Sequence, residues 1–253
     1  MHVGSHSAAP SRAQPRTQPT SATRVGVLGL AVFLVVYGNL TSFVRGPASP
    51  EGGWLGVALG VFPAVVALVW ARAFGLLPSD LGLVWRTAPR SAALGLVVAL
   101  GLALVSVVFL RLPILAAQPV AYNPLNALPL ETVLLRAFFW MPIDTAIPEE
   151  IEFRGALLAG LRLQVTTRRA VILSAVVFTL WHLVIVSRTL LATNFADEPL
   201  LLALGLVGAL AAIFVGGVLF AILRLRTNNL AGSIICHWAF NTVLLIGIYT
   251  PSA

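Results

Sequence analysis

The chain has 253 residues, of which 58% are hydrophobic and only 10% charged, with a mean hydropathy of +0.95. Soluble domains carry about 25% charged residues, so a water-soluble globular protein is excluded and the length is used up by membrane spans and short loops. The net charge of +7 comes entirely from arginine, since all sixteen basic residues are Arg; in a membrane protein that excess reports topology and does not point to nucleic acid.

Residues 1–23 are rich in Ser, Ala, Pro, Gln, Thr and Arg without apolar periodicity, and read as a disordered basic cytoplasmic tail. A signal peptide is not expected, because the apolar run after Arg24 is span-length and lacks a cleavage site. The remainder, 24–253, reads as one transmembrane domain. Seven hydrophobic segments are predicted near 25–44, 54–77, 91–110, 130–161, 169–187, 199–223 and 230–249, each close to the ~20 residues that a span needs. The expected fold is therefore all-α, a polytopic membrane protein of about seven helices around an intramembrane polar cavity. The fourth segment is too long for one upright helix, and Pro142 and Pro148 predict a kink or break there.

Arginine placement gives an orientation. Arg12, Arg16, Arg24, Arg72, Arg86, Arg90, Arg162, Arg168, Arg169, Arg224 and Arg226 fall on one side, eleven in all, and Arg45, Arg111 and Arg188 on the other. The positive-inside rule then sets a cell-membrane protein with a cytoplasmic N-terminus and an external C-terminus. Cys236 is the only cysteine and reads as a small buried helix residue.

Ionisable residues nevertheless occur inside the last hydrophobic segments. Pro148-Glu149-Glu150-Ile151-Glu152-Phe153-Arg154 lies in the fourth, Phe178 and His182 in the fifth, and His237 and Asn241 in the last. Such residues at membrane depth are costly and mark function. Glu149 stands 13 residues before Arg162, His182 13 after Arg169, and His237 11 after Arg226. At a rise of about 1.5 Å per residue all three lie roughly 17–20 Å from the cytoplasmic boundary. Scattered polar residues would have no reason to share one depth.

Helical geometry suggests partners. Glu150 and Arg154 are spaced i, i+4 with the acid first, the favourable order for an ion pair. Glu149 is turned about 100° away and is free to meet another helix. The expected assembly sets Glu149 beside His182, with His237 and Asn241 opposite and Glu150–Arg154 as a local brace. A carboxylate and an imidazole can share a water, and further donors can stabilise an oxyanion, so the chemistry reads as hydrolytic. Ser174 and Ser233 lie nearby, but no Gly-x-Ser-x-Gly elbow accompanies them, and there is no His-Glu-x-x-His zinc signature. Phe178 reads as packing, Glu152 and Asp144 as supporting or pore-lining, Glu131 and Arg136 as near the external boundary, and Asp197 and Glu198 as loop. A transporter or proton relay, or an idle immunity or scaffold protein, remains a rival reading.

Glu149-Glu150-x-x-x-Arg154, Phe178-x-x-x-His182 and His237-x-x-x-Asn241, in this order on consecutive hydrophobic segments, resemble the CPBP family of intramembrane proteases. That family includes the eukaryotic CAAX prenyl endopeptidases and the bacterial Abi and bacteriocin-immunity proteins. The resemblance covers about 130–245. It implies a glutamate-dependent endopeptidase acting on membrane-associated peptide or protein substrates. Glu149 would then be the water-activating base assisted by His182, His237 and Asn241 the oxyanion hole, and Glu150, Arg154 and Phe178 supporting residues. No cofactor is expected; zinc is possible and not favoured, because Arg154 brings a fixed positive charge into the same small volume.

Overall fold

The computed structural model describes residues 21–44, 52–112 and 119–251. Most of the expected tail, residues 1–20, lies outside these, while Ser21, Ala22 and Thr23 form the first turn of a helix. The described residues contain no β-strand, only an isolated bridge between Tyr122 and Thr193.

The long helices are α1 (Ser21–Val44), α2 (Trp54–Ala73) and α3 (Ala88–Arg111). They are followed by a helical run over 130–162 (α4), then α5 (Thr167–Trp181), α6 (Leu183–Leu190), α7 (Pro199–Thr227) and α8 (Leu230–Ile248). Local chemistry sets several boundaries. Thr166 caps α5, its hydroxyl accepting from the Arg169 amide at 3.4 Å. Asn228 adopts a left-handed φ of 49° that stops α7, and Asn229 caps α8 by accepting from the Ala231 amide at 2.8 Å, both ordinary uses of Asn.

Among the described residues, five single helices are long and apolar enough to cross a membrane, or six if α5 and α6, bent by 46° at His182, count as one span. The protein is thus multi-pass and all-α, with five to six candidate spans among the described residues where about seven were expected. The reason is α4, which is divided by wide π-type turns at Arg136–Trp140, Pro142–Ala146 and Ile151–Leu157 and carries most of the acidic residues.

The prolines in α4 do not break it, contrary to expectation. In a π register the Ala137 carbonyl would pair with residue 142, which is proline and has no N–H. That orphan carbonyl instead accepts from Trp238 Nε1 at 2.9 Å and Thr242 Oγ1 at 3.2 Å, both on α8. The helix runs on because a neighbour supplies the missing donor.

α4 is the centre of the molecule. Phe153, Ala156, Leu157 and Leu158 are fully buried among Val27, Leu30 and Leu34 of α1, Ala67 and Ala71 of α2, Ala170 and Phe178 of α5, and Ala221 of α7. The outer helices present Leu28, Val32 and Leu40, or Val97, Leu100 and Leu104, or Leu200, Leu204 and Val207 outward. Such a surface suits lipid and not water. α3 and α8 pack through small residues. Ser91, Gly95, Ala99 and Ala103 are the buried face of α3, and a Cβ on Gly95 would fall 2.1 Å from the Gly232 carbonyl oxygen. Contact between backbones of this kind is how membrane helices associate without a hydrophobic drive.

Candidate active site

The wide turns of α4 fix the helices that carry the two histidines. Trp238 and Thr242 tie α8 to Ala137, and on the other side Ser174 of α5 donates to the Phe153 carbonyl at 3.0 Å. With both anchors set, Glu149, His182 and His237 meet. Glu149 Oε2 lies 3.9 Å from His182 Nε2 and 3.8 Å from His237 Nε2. Glu149 and His237 are buried, while the His182 side chain retains 18% exposure and is the open edge of the cluster.

Each imidazole is held by its other nitrogen. His182 Nδ1 lies 2.7 Å from the Phe178 carbonyl, one turn back on its own helix. His237 Nδ1 lies 3.0 Å from Glu150 Oε1. A carbonyl and a carboxylate both accept, so in a neutral ring each Nδ1 carries the proton and each Nε2 is left as an acceptor. Three acceptors then face one small volume.

Glu150 does more than the brace expected of it. Its Oε1 is shared by His237 and by Arg154 Nη1 at 3.1 Å, and all three side chains are buried. The Arg154 guanidinium sits 4.0 Å from the Phe178 ring centre and 5.1 Å from that of Phe220, so aromatic faces cover the cation that pairs with Glu150. Phe220 also stacks on His237 at 5.1 Å. Phe178 is therefore a shared wall, against Arg154, against the His182 ring at 4.4 Å and against the His237 ring at 6.1 Å.

The layout differs from the sequence expectation in one respect: His237 is not opposite Glu149 and His182 but adjoins both glutamates. Asn241 lies one turn beyond His237, half-buried. Cys236 is buried beside His237. Among the described residues no three His, Cys, Asp or Glu side chains are grouped as a metal site requires. A cavity of about 440 Å³ lies elsewhere, between Asn126, Pro129, Glu131 and Tyr249, and contains none of the cluster.

The partners of two arginines escaped the sequence reading. Arg136 Nη1 pairs with Asp144 Oδ2 at 2.6 Å, and Thr145 donates to Asp144 Oδ1 at 2.8 Å. An acid eight residues after a base on one apolar helix was the available signal. Arg224, counted as a loop residue, is 1% exposed and donates to the Asp80 carbonyl and to Asn228 Oδ1.

The family described as Type II CAAX prenyl endopeptidase Rce1-like matches residues 131–243. No curated protein and no solved structure is significantly similar to the chain. The matched residues contain α4 with Glu149, Glu150 and Arg154, α5 with Phe178 and His182, and His237 and Asn241 of α8. Over that region the chain is similar to the Rce1-like type II CAAX prenyl endopeptidases, a part of the CPBP/CAAX protease family.

Proposed function

We propose that the protein is an intramembrane endopeptidase that hydrolyses peptide bonds of membrane-associated substrates with a water activated by Glu149 and His182. The observation that carries this reading is the pair of gaps of 3.8–3.9 Å between the Glu149 carboxylate and the two Nε2 atoms. Each gap is too long for a direct hydrogen bond and is of a length that a bridging water fits.

In the proposed reaction the water donates one hydrogen to Glu149 and one to His182 Nε2. Its oxygen attacks the scissile carbonyl carbon as Glu149 takes the proton. The oxyanion is met by the Asn241 amide and by His237, the pair that the family resemblance assigns to it. Collapse breaks the C–N bond, and Glu149 returns the proton to the departing nitrogen. No cofactor enters these steps. The Arg asymmetry supports a cytoplasmic N-terminus and an external C-terminus.

Purified wild-type protein and Glu149→Ala, each reconstituted with membranes of the host, are to be compared for newly formed peptide termini. Termini produced by wild type and reduced at least about 10²-fold in Glu149→Ala and in His182→Ala are expected, in a chelator and with substoichiometric zinc. Undiminished cleavage by either variant would remove the assignment, and activity restored only by zinc would replace it with metal-assisted hydrolysis. Proton flux in liposomes without any cleavage would favour a relay.

A further inference from the structure

We propose that Asn39, on α1 and outside the matched region, is a positioning residue for His182. Its carboxamide replaces one backbone hydrogen bond in the helix that carries the histidine. The inference rests on the reading of His182 as an active-site group.

In an unbroken helix the Val184 amide would donate to the Leu180 carbonyl. Here the Val184 amide donates to Asn39 Oδ1 at 2.9 Å, and Asn39 Nδ2 donates to the Leu180 carbonyl at 2.8 Å. The amide orientation is settled by the partners. Nδ2 faces two carbonyls, those of Leu180 and Val35 (2.8 Å), and Oδ1 faces an N–H, so a flipped amide would lose all three bonds.

A side chain wedged into the helical ladder is a recognised cause of sharp bends. The bend between α5 and α6 is 46°, and His182 is the hinge residue itself, with φ −88° and ψ −3°. Were the Leu180–Val184 bond to form directly, the helix would straighten and the His182 ring would turn relative to Glu149.

Independent evidence comes from Gly38. A Cβ there would lie 1.4 Å from Trp181 Nε1, so α1 approaches the bend this closely only because residue 38 has no side chain. Trp181 in turn packs edge-on against the His182 ring at 5.0 Å. One end of α1 therefore holds the backbone on either side of the histidine and seats the indole that walls it. An Asn within a membrane span is costly unless it finds partners, and here they include the two groups that the bend exposes.

The test uses the full chain in lipid nanodiscs with ¹⁵N-labelled histidine, read by solid-state NMR. The His182 nitrogen signals are identified by their loss in His182→Gln. In wild type His182 is expected to show a single species protonated at Nδ1. In Asn39→Leu that signature is expected to shift or split while the His237 signals stay in place. Asn39→Gln, which keeps donor and acceptor, is expected to lie nearer wild type than Asn39→Asp, which keeps only the acceptor.

Unmoved His182 signals in Asn39→Leu, or in Asn39→Asp should the leucine variant not fold, would overturn the proposal. So would equal movement of His237, which would mean general loosening. The readout needs no turnover. A protein that cleaves nothing but shows the Asn39 dependence would sink the protease reading alone, and an active protease with an indifferent His182 ring would sink this inference alone.

Discussion

Glu150 Oε1 accepts from two buried cations or donors at once, Arg154 at 3.1 Å and His237 Nδ1 at 3.0 Å. Removing one member of such a group leaves a buried charge without its counter-charge, which costs about 3–5 kcal/mol. Arg154→Met keeps the stem and loses the guanidinium, so it should lower unfolding stability in mild detergent by that amount. It should also loosen His237 by removing the cation that shares Glu150 Oε1 with it. A variant as stable as wild type would show that the aromatic cover of Phe178 and Phe220, and not the ion pair, holds this corner. The i, i+4 pair was legible in the sequence because helical spacing dictates it. The bond from Glu150 to His237 was not, because it joins residues 87 positions apart and depends on how α8 rotates against α4. His237 was legible as a polar residue at the right depth but not as a neighbour of both glutamates.

At the level of elements, α4 works because its neighbours complete its hydrogen bonding. Trp238→Phe combined with Thr242→Val removes both donors to the Ala137 carbonyl while keeping an aromatic ring at 238 and an isosteric side chain at 242. The buried acceptor is then unsatisfied, at a cost of about 1–3 kcal/mol. Thermal unfolding should reveal that loss, and the double variant should lose more than either single one, since each leaves the carbonyl one donor. Equal losses in all three would argue against this role. Pro142 and Pro148 announced an irregularity in the sequence. Its form could not be read there, because proline states which N–H is missing and not which side chain will replace it. The bend at His182 left no trace of this kind at all. Its cause lies 145 residues earlier than Val184, at Asn39.

For the whole molecule, the composition alone established a multi-pass membrane protein, and among the described residues the five candidate spans, or six with α5 and α6 taken together, follow the hydrophobic segments closely. Segment length could not show that α4 would be divided by wide turns, since hydropathy averages over the charges that those turns accommodate. Topology gives a direct check. Reporter fusions after Arg169 and after Arg226 should report a cytoplasmic location, and one after Arg188 an external location. An external signal from the Arg169 fusion would reverse the orientation.

The contact between α3 and α8 has a consequence for where this protein can be cut. The family match stops at residues 131 and 243, yet α8 rests on Gly95 of α3 with no side chain between the backbones, and α4 is enclosed by α1 and α2. A fragment of 131–243 would therefore offer lipid the small-residue face of α8 and the buried flank of α4, surfaces shaped for protein backbone. Such a fragment should aggregate or be degraded when expressed by itself, and co-expression of residues 1–130 as a separate chain should restore a monodisperse complex on size exclusion. The limits of homology would then mark what is shared with relatives, whereas the autonomous folding unit extends to include α1, α2 and α3.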